Sequence, residues 1–236
     1  MRRQAGAIEL LDGPLEKLAL AGNLRDLARV NRLLGGAGLS WRALEPIIRR
    51  YGWGTPLRFL DVGTGAADIP RYLRRSSAYR YPLTVVAADV RPEIVEVARR
   101  ATSRTPDLVV RLGSPDGIDE ADGSFDVVHA SLVIHHLEPP EAVRMLREMA
   151  RVASRAVIIN DLERAKRWLI AATLLACLTT RNSYTRHDAP LSVRRAYRPN
   201  ELRQLAERAG LVEEARYWAR PRYRYAITFR HSTARA

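Results

Sequence analysis

Phe59-Leu60-Asp61-Val62-Gly63-Thr64-Gly65-Ala66-Ala67-Asp68-Ile69 is the stretch on which the reading of this chain turns. A short apolar run enters a Gly-rich turn and helical spacing begins beyond it, so a buried strand opens through the turn into a helix. Gly63 and Gly65 let the backbone turn tightly and approach a bound cofactor. Asp61 ends the strand, with its carboxylate in reach of an amino group or a bridging water. About one βα unit later Asp89 ends the run Val85-Val86-Ala87-Ala88-Asp89-Val90, where an acid accepts hydrogen bonds from both ribose hydroxyls of an adenosine. A Gly-rich turn alone is a weak signal; a turn followed by an acid at the next strand's end is much stronger.

Working outward, strands are expected at residues 57–62, 83–88, 108–112, 125–130 and 156–160, alternating with helices at 69–76, 92–100 and 140–153. That alternation indicates a parallel sheet. Two further strands, 211–218 and 223–230, read as an antiparallel hairpin joined around Pro221. The expected fold is therefore α/β: a Rossmann-like, doubly wound, seven-stranded, mostly parallel sheet ending in that hairpin. Residues 8–50 read as helices broken at Gly35-Gly36-Ala37-Gly38, with Ser40 capping a second helix over 41–51 and Gly52-Trp53-Gly54-Thr55-Pro56 closing the segment. Residues 163–178 read as one long helix, 179–198 as an irregular loop and 199–209 as a helix ended by Gly210. The organisation expected is one domain over 1–236: a helical cover (1–54), a cofactor-binding core (55–161), a helical insert and loop (162–198) and a C-terminal helix and strand pair (199–236).

At 236 residues the chain suits one such domain. Its single cysteine, Cys177, excludes an internal disulfide framework and any Cys-rich zinc site, and a reducing, cytoplasmic setting is expected. Asp12, Glu16 and Lys17 interrupt the apolar positions after the basic start, so no signal peptide is expected. The apolar run 168–178 is shorter than the roughly 20 residues that span a bilayer; it suits a core helix, the lining of an acceptor pocket, a dimer contact or an interfacial helix. The net charge is +13, almost all of it arginine interleaved with acids. That charge admits a nucleic-acid or anionic-membrane partner, but no recognisable binding module accompanies it, and a solvated arginine-rich surface is the simpler reading.

A dinucleotide fingerprint usually carries three glycines that admit a pyrophosphate. Here acids flank the turn, at Asp61 and Asp68, and two carboxylates would repel a diphosphate but favour a sulfonium and an ammonium. These residues resemble the class I S-adenosylmethionine-dependent methyltransferases over about residues 57–161. Asp61-Val62-Gly63-Thr64-Gly65 is similar to their first motif and Asp89 to their ribose-binding acid. Gly123-Ser124-Phe125-Asp126-Val127-Val128 is similar to their fourth-strand motif, followed by Ser131-Leu132-Val133-Ile134-His135-His136-Leu137 as in many members that act on small molecules. Ala67 departs from a third glycine often found in the first motif, and Ser114 stands where many relatives have an adenine-contacting acid, with Asp116 two residues on and Ile118 as an apolar neighbour of the ring.

The resemblance implies S-adenosylmethionine as cofactor, held by Asp61, Gly63, Thr64, Gly65, Asp89, Val90, Ser114, Asp116 and Ser131. The reaction is an in-line displacement that needs alignment and exclusion of water, and a base only where the acceptor is protonated. His135 and His136 follow strand four at the ligand edge of the sheet and are candidates for that base or for an acceptor contact; a structural pair under the cofactor is the alternative. Asn160 and Asp161 end strand five on the same edge, facing an acceptor or capping the next helix. His187, beside Asp188 in the expected loop, is a third acceptor candidate. No metal is expected. The implied acceptor is small and apolar or aromatic, such as a quinone precursor or a polyketide, with O-methylation ahead of C-methylation. An RNA methyltransferase, a non-catalytic cofactor-binding or membrane-associating module and an NAD-dependent oxidoreductase are the alternatives. Oligomeric state is not legible.

Overall fold

The computed structural model describes residues 1–14, 16–51, 54–77 and 81–232. Its elements run α1 (Lys17–Leu33), α2 (Gly36–Arg50), β1 (Leu57–Val62), α3 (Asp68–Ser77), β2 (Leu83–Asp89), α4 (Pro92–Thr102), β3 (Leu108–Leu112), β4 (Phe125–Ser131), α5 (Pro139–Val152), β5 (Ala153–Leu162), α6 (Lys166–Thr179), α7 (Ser183–Arg195), α8 (Pro199–Arg208), β6 (Leu211–Trp218) and β7 (Arg224–His231), with short 3-10 turns at Leu10–Asp12 and Ile134–His136. Gly52 and Trp53, expected to close the N-terminal helical segment, lie outside the described residues.

The seven strands form one sheet in the order β3-β2-β1-β4-β5-β7-β6. The first five pair in parallel, and β7 enters antiparallel to both β5 and β6. Strand residues alternate between two cores, as the two-residue period of a strand requires. Phe59, Val85, Val127 and Ile158 face α2, α3 and α4. Leu60, Val86, Val128 and Ile159 face α5 and α8. The strand order reverses between β1 and β4, so their carboxyl ends diverge into the crevice where open α/β sheets bind ligands.

Three local expectations are corrected. The glycines at 35–38 do not form a gap: the chain turns at Leu34-Gly35, where Gly35 has φ 78°, and α2 starts directly at Gly36. A Cβ on Gly36 would meet the Arg224 guanidinium at 2.5 Å, so the glycine admits a buried cation against the helix start. Ser40 is therefore not a cap but a buried residue inside α2. Residues 179–198 are not irregular, because α7 occupies most of them; Asn182 caps it by accepting the Thr185 N–H at 3.0 Å. Apolar periodicity misses α7 because it buries polar and aromatic groups, Tyr184, Asp188 and Arg195, rather than an aliphatic stripe.

Helix α6 neither lines the cavity described below nor packs into the core. Among its described residues Ala176 is buried, while Ile170, Leu174 and Leu178 are exposed. No described helix is long and apolar enough to cross a membrane.

Candidate functional site

A cavity of about 350 Å³ opens at the carboxyl ends of β1, β2 and β4, covered by α1 and the N-terminal segment. Its floor is the β1–α3 turn. Gly63 and Gly65 hold φ of 66° and 56°, the left-handed region that glycine enters freely. A Cβ on Gly63 would also lie 2.5 Å from Val133, so the turn and the loop after β4 approach as closely as backbone allows. Leu132, next in that loop, holds φ 57°, an uncommon conformation for a bulky side chain of the kind that gathers at functional sites.

Asp89 stands at the end of β2 and accepts hydrogen bonds from the Gly65 N–H and the Arg91 N–H, both at 3.1 Å. Burial pushes its carboxyl above the usual aspartate range, against the pull of those two donors. Asp68 is likewise raised by burial. Asp61 is fixed from behind. The His129 Nδ1–H donates to its carboxylate at 2.5 Å, Ser40 Oγ lies 2.8 Å from His129 Nε2, and the Asn160 amide donates to Ser40 at 2.7 Å. The side chains of Asp61, His129, Ser40 and Asn160 are almost wholly buried, and neither His129, Ser40 nor Asn160 lines the cavity.

Of the residues singled out in the sequence, Asp61, Gly63, Thr64, Gly65, Asp89, Val90, Ser131 and His136 line the cavity together. Ser114 and Asp116 do not; they sit in a turn after β3, where Ser114 Oγ accepts the Asp116 N–H at 3.2 Å. Asn160 is held inside the core, donating to Gly36 O at 3.0 Å and accepting from Arg224 at 2.5 Å. Asp161 lies beneath His135, accepting from its ring Nδ1 at 2.7 Å and its backbone N–H at 3.1 Å. His135 is itself buried behind the lining. His187 is half exposed on α7 and paired with Asp188, whose carboxylate accepts the Leu10 and Leu11 N–H groups at 2.8 and 3.1 Å.

Sequence reasoning missed what the cover contributes: Leu11, Asp12, Leu24, Leu27 and Asn31 all line the cavity. Leu24 and Leu27 were legible as apolar helix positions but not as lining. A histidine inside the apolar strand at 129 was a visible signal for the brace behind Asp61.

The lining tests whether S-adenosylmethionine fits. Four carboxylates, Asp12, Asp61, Asp68 and Asp89, face the space against one guanidinium, Arg91, an imbalance that suits a ligand carrying two cationic centres. Thr64 Oγ1 is buried beside the turn without a hydrogen-bond partner among the described residues, and a buried polar atom of that kind calls for one. Ile69, Val90 and Ile94 give apolar walls for a ring. The residues present fit the group.

Comparison with known proteins gives a consistent picture. Residues 59–155 match the methyltransferase-domain family. A 37.1 kDa protein of transposon TN4556 of Streptomyces fradiae is 30% identical over 129 residues, covering 54% of this chain and 36% of that protein. A methyltransferase of Synechocystis is 28% identical over 114 residues, 48% of this chain and 50% of its own. This chain thus matches half or less of the length of these relatives. The crystal structure of an S-adenosylmethionine-dependent methyltransferase from Aquifex aeolicus superposes with a TM-score of 0.64 at 18% identity, covering 92% of this chain and 98% of that one. Residues 59–155 thus match a methyltransferase domain, and the sheet order with its reversed C-terminal hairpin gives the chain the fold of that methyltransferase, with an acid-flanked glycine turn facing a second acid at the next strand.

Proposed function

We propose that the protein transfers a methyl group from S-adenosylmethionine to a small, apolar or aromatic acceptor, with oxygen as the first choice of acceptor atom and carbon the next. The observation that carries the reading is the cluster of Asp61, Asp89 and the partnerless Thr64 hydroxyl around the Gly63–Gly65 turn inside one cavity. The cofactor supplies an electrophilic methyl on a cationic sulfonium. Asp89 would hold the ribose hydroxyls; Asp61, braced by His129, would face the amino-acid end; Thr64 would gain the partner it lacks. Leu11, Leu24 and Leu27 would cover the site, exclude water and give an acceptor an apolar face. His136 borders the cavity, with its Nδ1 facing Asp12 at 2.8 Å.

The test uses S-adenosylmethionine labelled on its methyl, the pure protein and a fractionated lysate of the source organism, with Asp89→Ala as blank. Label in the organic extract supports the small-molecule reading and yields the product. Label in RNA refutes it. A second reading, peripheral attachment to a lipid surface, is favoured by the exposed Ile170, Leu174 and Leu178 on α6, and vesicle flotation tests it.

A further inference from the structure

Behind the cavity wall, three ligating groups converge from segments far apart in the sequence. Glu9 comes from the N-terminal segment, and His135 and His136 from the 3-10 turn after β4. Their donor atoms all lie within 4.8 Å of one another. Glu9 Oε1 is 3.8 Å from His135 Nε2, and Glu9 Oε2 is 3.8 Å from His136 Nε2, too far for hydrogen bonds. Each imidazole is oriented from its far side by a carboxylate: His135 Nδ1 faces Asp161 at 2.7 Å and His136 Nδ1 faces Asp12 at 2.8 Å. With both Nδ1 atoms protonated toward those acids, both Nε2 atoms present lone pairs to the Glu9 carboxylate. Glu9 thus faces both Nε2 atoms without a hydrogen bond to either. Glu9 is 3% exposed, and its Oε1 has no hydrogen-bond partner among the described residues. Carboxylate–histidine pairs of this kind characteristically fix imidazoles that bind a metal.

We propose that Glu9, His135 and His136 form a binding site for a divalent transition-metal ion of the zinc class. Two neutral imidazoles and one carboxylate make a three-donor set that leaves a coordination position open, the pattern of a catalytic rather than a closed structural site. Ligand bonds of about 2.0–2.2 Å put neighbouring tetrahedral donors roughly 3.3 Å apart, so donor atoms that all lie within 4.8 Å of one another close onto an ion with shifts of up to about 1.5 Å. The charge balance favours a dication. Glu9, Asp12, Asp161 and Asp188 surround the site, opposed by the guanidiniums of Arg195, 3.8 Å from Glu9 and 3.0 Å from Asp12, of Arg3 on the His135 carbonyl and of Arg91 on the Asp12 carbonyl. Ser192 supplies one donor to Glu9, at 2.9 Å on Oε2, and leaves Oε1 free for the ion. His136 is also part of the cavity lining, so the open position lies toward the acceptor end. The cysteine count gave no hint of this, because the donor set needs no thiolate. The inference concerns ion binding alone and holds or fails independently of methyl transfer.

The test strips the full chain with a chelator and titrates it with Co2+, reading visible d–d absorption, and with Zn2+ against a chromophoric chelator. One ion per chain is expected. Proton spectra of the Co2+ form in light water should show two hyperfine-shifted imidazole N–H signals that vanish in D2O, a readout that needs no variant. Asp12→Asn should weaken the ion by about 10- to 100-fold; Glu9→Gln and His136→Gln should weaken it further, with far-UV circular dichroism checking the fold. His231→Gln, on β7 and bonded to the Ala153 carbonyl, should leave binding unchanged. Absence of stoichiometric binding, absence of the shifted signals, or equal affinity in folded Glu9→Gln and His136→Gln variants would overturn the proposal.

Discussion

Asp89 offers the sharpest test of the cofactor assignment. Its carboxylate already accepts the Gly65 and Arg91 N–H groups at 3.1 Å, one on each oxygen, which aims its remaining lone pairs into the cavity. Two ribose hydroxyls bound there are charge-assisted donors worth roughly 1.5–3 kcal/mol each. Asp89→Ala removes both and leaves two backbone N–H groups beside the turn without their partner. The expected loss is about 3–6 kcal/mol, roughly 100-fold to more than 10,000-fold in affinity. Asp89→Asn, which keeps an acceptor but no charge, should fall between. The pH dependence has a definite sign. Burial raises the Asp89 carboxyl above its usual range, so the charged form is lost at a higher pH than for an exposed aspartate, and affinity should fall as pH falls through that raised value. Calorimetric titration with S-adenosylhomocysteine, with thermal melting to confirm folding, measures both. A folded Asp89→Ala protein with unchanged affinity would refute the ribose assignment.

Gly63→Ala should destabilise the fold and abolish cofactor binding, because the new methyl meets Val133 at 2.5 Å from a backbone at φ 66°; a cost of about 2–5 kcal/mol is expected in denaturant titration. Arg224→Met should cost about 3–5 kcal/mol, read the same way, since Asn31, Asn160 and Ser131 lose a shared buried donor. Asp188→Ala should free the segment around Leu10 and Leu11, seen as faster proteolysis near the N-terminus and weaker cofactor binding, because Leu11 and Asp12 line the cavity. Leu27→Arg should block methyl transfer where Leu174→Glu on the exposed face of α6 does not, in the labelled-methyl assay; the reverse result would move acceptor recognition to α6.

The sheet was legible because each strand carries an apolar run bounded by turn chemistry, and the five parallel strands and the hairpin fall within a few residues of the expected positions. The glycine turn was legible because its physics is local: positive φ at Gly63 and Gly65 and an acid on either side. Residues brought in by tertiary packing were not. Asp12 and Leu11 reach the cavity because Asp188, some 177 residues on, holds their turn. Asn160 has the composition of a cap, yet it is a junction in the core, because β5 runs on to Leu162 and keeps position 160 inside the sheet. α7 was invisible to apolar periodicity because its inward face is polar, and it is polar because it serves the N-terminal segment rather than the core.

The mixed end of the sheet also has an electrostatic consequence. β7 runs antiparallel, so its first residue lies at the edge where β4 and β5 finish; Arg224 pairs with Leu162, and Ala226 with Asn160. The guanidinium is fully buried and held by Asn160, Asn31 and Ser131, none of them charged. Burial lowers its proton affinity, opposed by the neighbouring Asp161 and Asp68 carboxylates among others. A cation so placed offsets the repulsion among acids that a sheet edge built to receive a cationic ligand must bring together; Asp61 raises both Asp68 and Asp89, and Arg224 lowers Asp68. The C-terminal hairpin therefore does more than extend the sheet. It carries a fixed positive charge beneath the acidic floor, and Asn31 hands that charge on to Asp68 at 2.9 Å, tying the last strand, the cover helix α1 and the cofactor turn into one network.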